Sequence, residues 1–257
     1  MKRVLTAVLL LPPITYLIFL GNPILFLLIT AGVALLCFLE FAQLARAHGM
    51  GFNLPIGIAA GLLLLLMPSF DPVLLIVPVL VALAWSMRGD LSKVLPGAAA
   101  LSLGILYCFG PWRCAILLRG IQPYWLFYVL ALNWVGDIAA FVIGKRFGKR
   151  KLSPDISPGK SWEGAIASLA ASTIFGVVFL ARFAPERRLD EALLLSVAAN
   201  VAGQLGDLCE SAIKRGAGVK DSGTMLPGHG GWLDRLDANL LALPIVYLWL
   251  SRLSVLM

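Results

Sequence analysis

Nine stretches of this 257-residue sequence are apolar almost end to end, at roughly 4–20, 24–41, 54–67, 72–86, 94–109, 124–144, 162–182, 192–213 and 238–256. That pattern constrains the fold more than any motif does. A helix needs about 20 apolar residues to cross a bilayer, and a spanning segment must satisfy its own backbone polar groups. Only 14% of the residues are charged, against 60% apolar, whereas soluble domains carry about 25% charged residues. The chain has too little polar surface for a soluble enzyme, a disordered scaffold or a disulfide-stapled domain. The expected fold class is all-α: a polytopic integral membrane protein of about nine transmembrane helices.

The opening Met1-Lys2-Arg3 followed by an apolar run has the look of a secretion signal. No small-residue cleavage site follows it and Pro12-Pro13 interrupt it, so it reads as a retained first span. With the N-terminus cytoplasmic, fifteen Lys and Arg residues fall in inward loops, Arg88 among them. Six fall on the outward side, including Arg113 and Arg119. This asymmetry follows the positive-inside rule. Counting 54–86 as one re-entrant unit would give eight spans and break the alternation. The net charge of +7 fits the same topology and anionic lipid. Nucleic acid is not expected as a partner, because no basic stretch is interleaved with stacking aromatics. The four cysteines (Cys37, Cys108, Cys114, Cys209) form no CxxC pair. Cys108 and Cys114 could meet in an outward loop or simply pack.

The halves differ. Residues 1–123 read as apolar packing helices, with a dimer contact among their conceivable uses. Residues 124–257 carry nearly all the polar positions near span ends, with loops 145–161 and 214–237. Ionisable groups in spans are costly and normally face a partner or an aqueous cavity. Asn133, Asp137 and Gly144-Lys145 share one helix face, Asn200, Gln204, Asp207, Ser211 and Lys214 a second with Glu210 beside them, and Asp234 and Asp237 a third. Each set taken alone could be an interfacial helix end satisfied by water. Three carboxylate-bearing faces meeting one side point instead to a hard-oxygen site for Mg²⁺, which takes carboxylates together with substrate phosphates.

The loops add matching chemistry. Ser157-Pro158 suits an N-cap followed by Pro at the first helical position, so the next helix is expected to start there, with Lys160 and Ser161 beside a phosphate seat. Gly159-Lys160-Ser161 ends like a P-loop, but Pro154 stands where that motif needs Gly, and the segment is expected to follow no strand and to open a membrane helix. Loop 214–237 combines six glycines with Lys214, Arg215 and Lys220 as phosphate contacts, and with Asp221, Asp234 and Asp237 as ligands or acid–base groups. His229, in Pro227-Gly228-His229-Gly230-Gly231, reads equally as a structural residue and as a ligand contact.

The pattern Ser211-x-x-Lys214-Arg215-x4-Lys220-Asp221-x-Gly223-x-x-Leu226-Pro227-x-His229-Gly230-Gly231-x-x-Asp234-Arg235-x-Asp237 resembles the signature of the phosphatidate cytidylyltransferase (CDP-diacylglycerol synthase) family, with fourteen specified positions in 27 residues. Asp137…Phe141…Gly144-Lys145-Arg146-Phe147-Gly148-Lys149 and Ser157-Pro158-Gly159-Lys160-Ser161-Trp162-Glu163-Gly164 are similar to that family too. Its members often carry Tyr at Phe141 and Thr at Ser161. The resemblance is specific over 137–237 and general before it. It implies transfer of CMP from CTP to phosphatidic acid, giving CDP-diacylglycerol and diphosphate. It further implies a homodimer in a bacterial inner membrane, with the active site on the cytoplasmic face. Asp207 and Asp234 match the family's ligands for Mg²⁺ and a second cation, K⁺. Asp137, Asp221 and Asp237 would support them. Lys160, Ser157, Ser161, Lys214, Arg215, Lys220, His229, Gly230 and Arg235 would contact substrate. Three rivals remain at this point: a CTP-dependent polyprenol kinase, a cation transporter relaying through Asp137, Asp207 and Asp234, and a membrane scaffold.

Overall fold

The computed structural model describes residues 2–67, 73–86, 90–225 and 230–256. Among these, ten α-helices run in chain order: α1 (Lys2–Phe19), α2 (Pro23–Ala47), α3 (Leu54–Leu66), α4 (Val73–Ser86), α5 (Val94–Cys108), α6 (Gly110–Ile121), α7 (Pro123–Phe147), α8 (Trp162–Phe183), α9 (Leu189–Gly216) and α10 (Leu233–Leu256). A two-stranded hairpin, β1 (Lys151–Ser153) and β2 (Ser157–Ser161), joins α7 to α8. Five segments are long and apolar enough to cross a membrane: α2, the Leu91–Ile121 run containing α5 and α6, α7, α8 and α9. The chain is a helical membrane protein. Large apolar side chains such as Ile24, Leu28, Ile138, Ile166, Ile174 and Val178 remain exposed on its flanks, as a lipid-facing surface requires.

Local sequence sets the helix starts. Asn22 accepts from Ile24 N at 2.8 Å ahead of Pro23, and Asn53 accepts from Ile56 N at 3.1 Å ahead of Pro55. Helix α1 runs through Pro12-Pro13 rather than breaking there. In hydrocarbon the flanking apolar run favours helix strongly enough to carry the lost hydrogen bonds, and prolines are tolerated in spanning helices for that reason.

Three other sequence expectations need correction. The stretch after Cys108 is not an outward loop but α6, and Arg113 and Arg119 are not free topology charges. Arg113 is buried and donates to Leu65 O at 3.2 Å, and Arg119 donates to Ile18 O at 2.9 Å and Gly21 O at 2.5 Å. Both guanidinium groups satisfy carbonyls at the C-terminal ends of α3 and α1, where four carbonyls lack helical partners. Gly57 lies against Leu101, Gly61 against Phe109 and Leu65 against Arg113, so α5 and α6 run on together, parallel to α3, as one broken helix. Cys108 and Cys114 sit in those two helices, buried and unpaired.

Finally, Ser157-Pro158 does not start a helix. Residues 157–161 pair antiparallel with 151–153 (Lys151 opposite Ser161, Ser153 opposite Ser157), and Ser161 is the N-cap, accepting from Gly164 N at 3.2 Å. A hydroxyl three residues before its N–H partner is a better cap than Ser157 could be, because the intervening strand uses its backbone in the ladder. Arg88, the link between α3 and α4, and residues 226–229 with His229 lie outside the described residues.

The core is built as bilayer cores must be, from close packing rather than from water exclusion. Phe38, Leu101, Phe109, Leu118, Tyr128 and Leu243 are fully buried at its centre. Between α7, α8 and α9 it turns polar. Asn200 Nδ2 donates to Ser168 Oγ and Ser172 Oγ, both at 3.0 Å, and Asn200 Oδ1 accepts from Gln204 Nε2 at 2.6 Å. Asn133 Nδ2 donates to Asn239 Oδ1 at 2.8 Å, joining α7 to α10. The C-terminal ends of α2, α7 and α9 and the N-terminal ends of α8 and α10 gather at one end of the bundle.

Candidate active site

At that end a cavity of about 510 Å³ opens between α7, α8, α9 and the hairpin. Its polar wall holds Asp137 from α7, Lys160 and Ser161 from β2, and Gln204 and Asp207 from α9. Phe141 and Leu152 supply apolar wall, and Phe141, two-thirds exposed, reaches from the cavity to the lipid-facing flank. Lys160 Nζ lies 2.7 Å from Asp207 Oδ2, and Asp137 stands within electrostatic range of both. The hairpin is what delivers Lys160. Arg150 N bonds the Glu163 carboxylate at 3.2 and 3.3 Å, Trp162 N bonds Arg150 O at 3.0 Å, and Arg215 Nε donates to Ile156 O at 3.1 Å. The strand pair is thus fastened to α8 at its base and to α9 at its tip.

A second group lies beside the first. Helices α9 and α10 touch at Gly206, where a Cβ would stand 2.6 Å from Asp237 O; only glycine admits this approach, and it sets Asp237 next to Asp207. Asp237 interacts electrostatically with Asp207 and Glu210, and Glu210 with Asp234. One turn along α9, the buried Lys214 ammonium lies 2.5 Å from Glu210 and pairs directly with Asp234. Asp234 Oδ2 collects Gly231 N at 2.7 Å, Ser222 N at 2.9 Å and Ser222 Oγ at 3.0 Å. Gly230 has φ +78°, and a Cβ there would meet Asp234 Oδ2 at 2.6 Å and Asp221 Cβ at 3.5 Å, so glycine is required on both counts.

The sequence-derived residues therefore divide. Asp137, Lys160, Ser161 and Asp207 line the cavity, and Asp237 borders it through Asp207. Ser157 stands at the start of β2, opposite Ser153. Lys214 and Asp234 form the adjoining buried group with Gly230 against them, and Lys220, Asp221 and Arg235 are exposed on the outer side of that loop. Arg215 is exposed and holds the hairpin tip, its Nη1 also bonding Val219 O at 3.0 Å. Two residues were missed as site members. Glu210 was seen only as a neighbour of the α9 stripe. Glu40 of α2 is fully buried and accepts from Trp232 N, Leu233 N and Ser222 Oγ. The signal for Glu40 was present: a lone carboxylate in an otherwise apolar span, which hydrocarbon tolerates only with a partner.

The donor set is all hard oxygen. Among the described residues no three His, Cys, Asp or Glu groups converge as a protein-only metal cage. Mg²⁺ rarely uses one, being held by one or two carboxylates with phosphates and water. Asp207, on the cavity wall and paired with Lys160, and Asp234, held by Lys214 and by the N–H groups of Gly231 and Ser222, are carboxylates of that kind.

Comparison with known proteins agrees along the whole chain. The model of the Cytidylyltransferase family matches residues 1–253. The chain is 31% identical to a phosphatidate cytidylyltransferase of Haemophilus influenzae, over 95% of this chain and 96% of the relative. It is 34% identical to the Pseudomonas aeruginosa protein of the same name, over 95% and 94%. The Brucella suis protein, again so named, is 34% identical over 96% and 92%.

Proposed function

The chain belongs to the cytidylyltransferase family, and from that premise we propose that it is a phosphatidate cytidylyltransferase, transferring CMP from CTP to phosphatidic acid in phospholipid synthesis. The observation that carries the reading is a full-length likeness to relatives of that name joined to a cavity polar on one wall and apolar toward lipid.

In the reaction a phosphate oxygen of phosphatidic acid attacks the α-phosphorus of CTP. The new P–O bond forms as the bond to the β-phosphate bridging oxygen breaks, and diphosphate leaves with that oxygen. A phosphate monoester is already a nucleophile, so the protein's main task is to bring two anions together and to stabilise charge on the leaving group. Lys160 contacts phosphate, with the hydroxyls of Ser157 and Ser161 nearby. The family resemblance assigns Arg215, Lys220, Arg235, Gly230 and His229 to phosphate contact, with Asp221 in support. Lys214 orients Asp234, and Asp137 and Asp237 add negative charge beside Asp207, which favours a cation there. Asp207 and Asp234 would hold Mg²⁺, with K⁺ as a second cation, supplying neutralisation of the phosphates. The acyl chains enter past Phe141 from the bilayer, while CTP arrives from water.

We place the N-terminus and the cavity on the cytoplasmic side of a bacterial inner membrane, with nine crossings if α5 and α6 count as one, and the working unit as a homodimer. The basic residues of 145–151 and 214–220, at the cavity end, support that orientation. The test is incubation of purified protein with phosphatidic acid and CTP, with and without Mg²⁺. Diphosphate and CDP-diacylglycerol should appear in equal amounts. Release of CDP with a phosphorylated polyprenol instead would identify the kinase, and no turnover of either acceptor would overturn the reading.

A further inference from the structure

Glu40 stands apart from the machinery above, since it comes from the N-terminal half yet ends inside the C-terminal loop. Its side chain has no exposed surface. Oε1 accepts from Trp232 N at 2.9 Å, and Oε2 accepts from Leu233 N at 2.9 Å and from Ser222 Oγ at 2.7 Å. The loop backbone is pressed against it: a Cβ at Gly231 would fall 2.2 Å from Oε2, and one at Gly223 would fall 2.7 Å from Oε1. Ser222 links this carboxylate to the next one, because its hydroxyl and its N–H both also reach Asp234 Oδ2.

The same helix holds the other end of the loop. His48 Nε2, just past the end of α2, donates to Ile213 O at 2.9 Å, with Gly216 packed on the ring. Helix α2 therefore grips the chain both where it leaves α9 and where it enters α10. Capping α10 needs only a local Ser, Thr, Asp or Asn. An acceptor brought from a different span does something a local cap cannot, which is to fix the loop against the body of the protein. It does so at the price of burying a carboxylate at membrane depth.

We propose that Glu40 is a positioning residue for nucleotide binding: acting through Ser222 and the first N–H groups of α10, it sets Asp234, the carboxylate proposed above to help hold the cation that binds with CTP. This rests on the transfer reaction proposed above. Glu40 itself touches no reacting atom.

Glu40→Gln is the decisive variant. All three groups facing the carboxylate are donors, so whichever way the amide turns, its NH₂ leaves Trp232 N or Leu233 N without an acceptor. The expected result is a rise of about tenfold or more in KM for CTP, the effect of one lost charge-assisted bond on the loop. KM for phosphatidic acid should stay within about twofold. Amide exchange should quicken across 222–233 and stay unchanged in α7 and α8. Ser222→Ala should raise KM for CTP in the same direction, and the double variant should lose less than the product of the single effects, because both act through one link. Glu40→Gln with wild-type KM for CTP and unaltered exchange at 222–233 would overturn the proposal. So would a fall in maximal rate with both KM values unchanged, the mark of a smaller folded fraction. Failure of the wild-type protein to transfer CMP would defeat the reaction reading instead, and the exchange comparison would still decide whether Glu40 holds the loop.

Discussion

Replacing Lys214 by Met separates what this residue does for stability from what it does for the reaction. The ammonium lies between Glu210, whose side chain is fully buried, and Asp234, 7% exposed. Met preserves the length of the side chain and removes the charge, so two carboxylates are left facing a position with no counter-ion. Breaking a buried ion pair by deleting one partner costs roughly 3–5 kcal/mol, most of it the stranded charge. Asp234 retains three donors on Oδ2, so the stranded group is chiefly Glu210. Adding Glu210→Gln to Lys214→Met should therefore recover more than half of the loss, and Glu210→Gln alone, with Lys214 still paired to Asp234, should cost less than about 1.5 kcal/mol. Unfolding free energies from SDS titration in mixed micelles measure all three. Diphosphate release should remain low in both chains that lack Lys214, because Asp234 has lost the partner that orients its other oxygen. A double variant no more stable than Lys214→Met would show that Glu210 is not the stranded charge and refute the argument.

Other outcomes follow from the same geometry. Asp207→Asn should abolish diphosphate release while the protein still inserts and elutes as wild type in detergent; retained turnover would remove Asp207 from the reaction. Lys160→Ala should raise KM for CTP by about tenfold, the effect of a lost charge-assisted contact, with steady-state kinetics as the readout. Ser161→Ala removes the α8 cap and should cost about 1 kcal/mol of stability, measured by the same titration. Chelation with EDTA should stop turnover, and added Mg²⁺ should restore it in the wild type but not in Asp207→Asn.

Much of this was legible in the sequence, and the parts that were not have physical causes. Periodicity placed Asp137, Asp207 and Asp237 on faces that do meet, because helical spacing fixes which side a residue lies on whatever it packs against. The hairpin was misread because Ser157-Pro158 and Ser161 are both locally credible caps. The choice between them depends on residues 151–153 pairing back, which is a tertiary fact. Arg113 and Arg119 were counted as loop charges because a positive-inside count assumes that every Arg outside an apolar segment faces water. Here each is satisfied by carbonyls at the end of another helix. Glu40 was overlooked because its partners lie more than 180 positions away.

Two helix N-termini point into this end of the bundle, and their different treatment indicates where a phosphate can bind. Each offers the partial positive charge that favours anions. At α10 the offer is already taken: Gly231 N goes to Asp234, and Trp232 N and Leu233 N go to Glu40. A substrate phosphate there would have to displace carboxylates that the protein has buried for the purpose. At α8 the cap is a neutral hydroxyl, Ser161, and the residue before it is Lys160, whose ammonium faces the cavity in direct contact with Asp207, with Asp137 on the same wall. An incoming triphosphate can take that ammonium from Asp207 and leave Asp207 free for a cation in the same movement. The two ends thus divide the work, α10 holding acid groups in place and α8 receiving the nucleotide, and the Lys160–Asp207 pair is the contact that substrate binding must open.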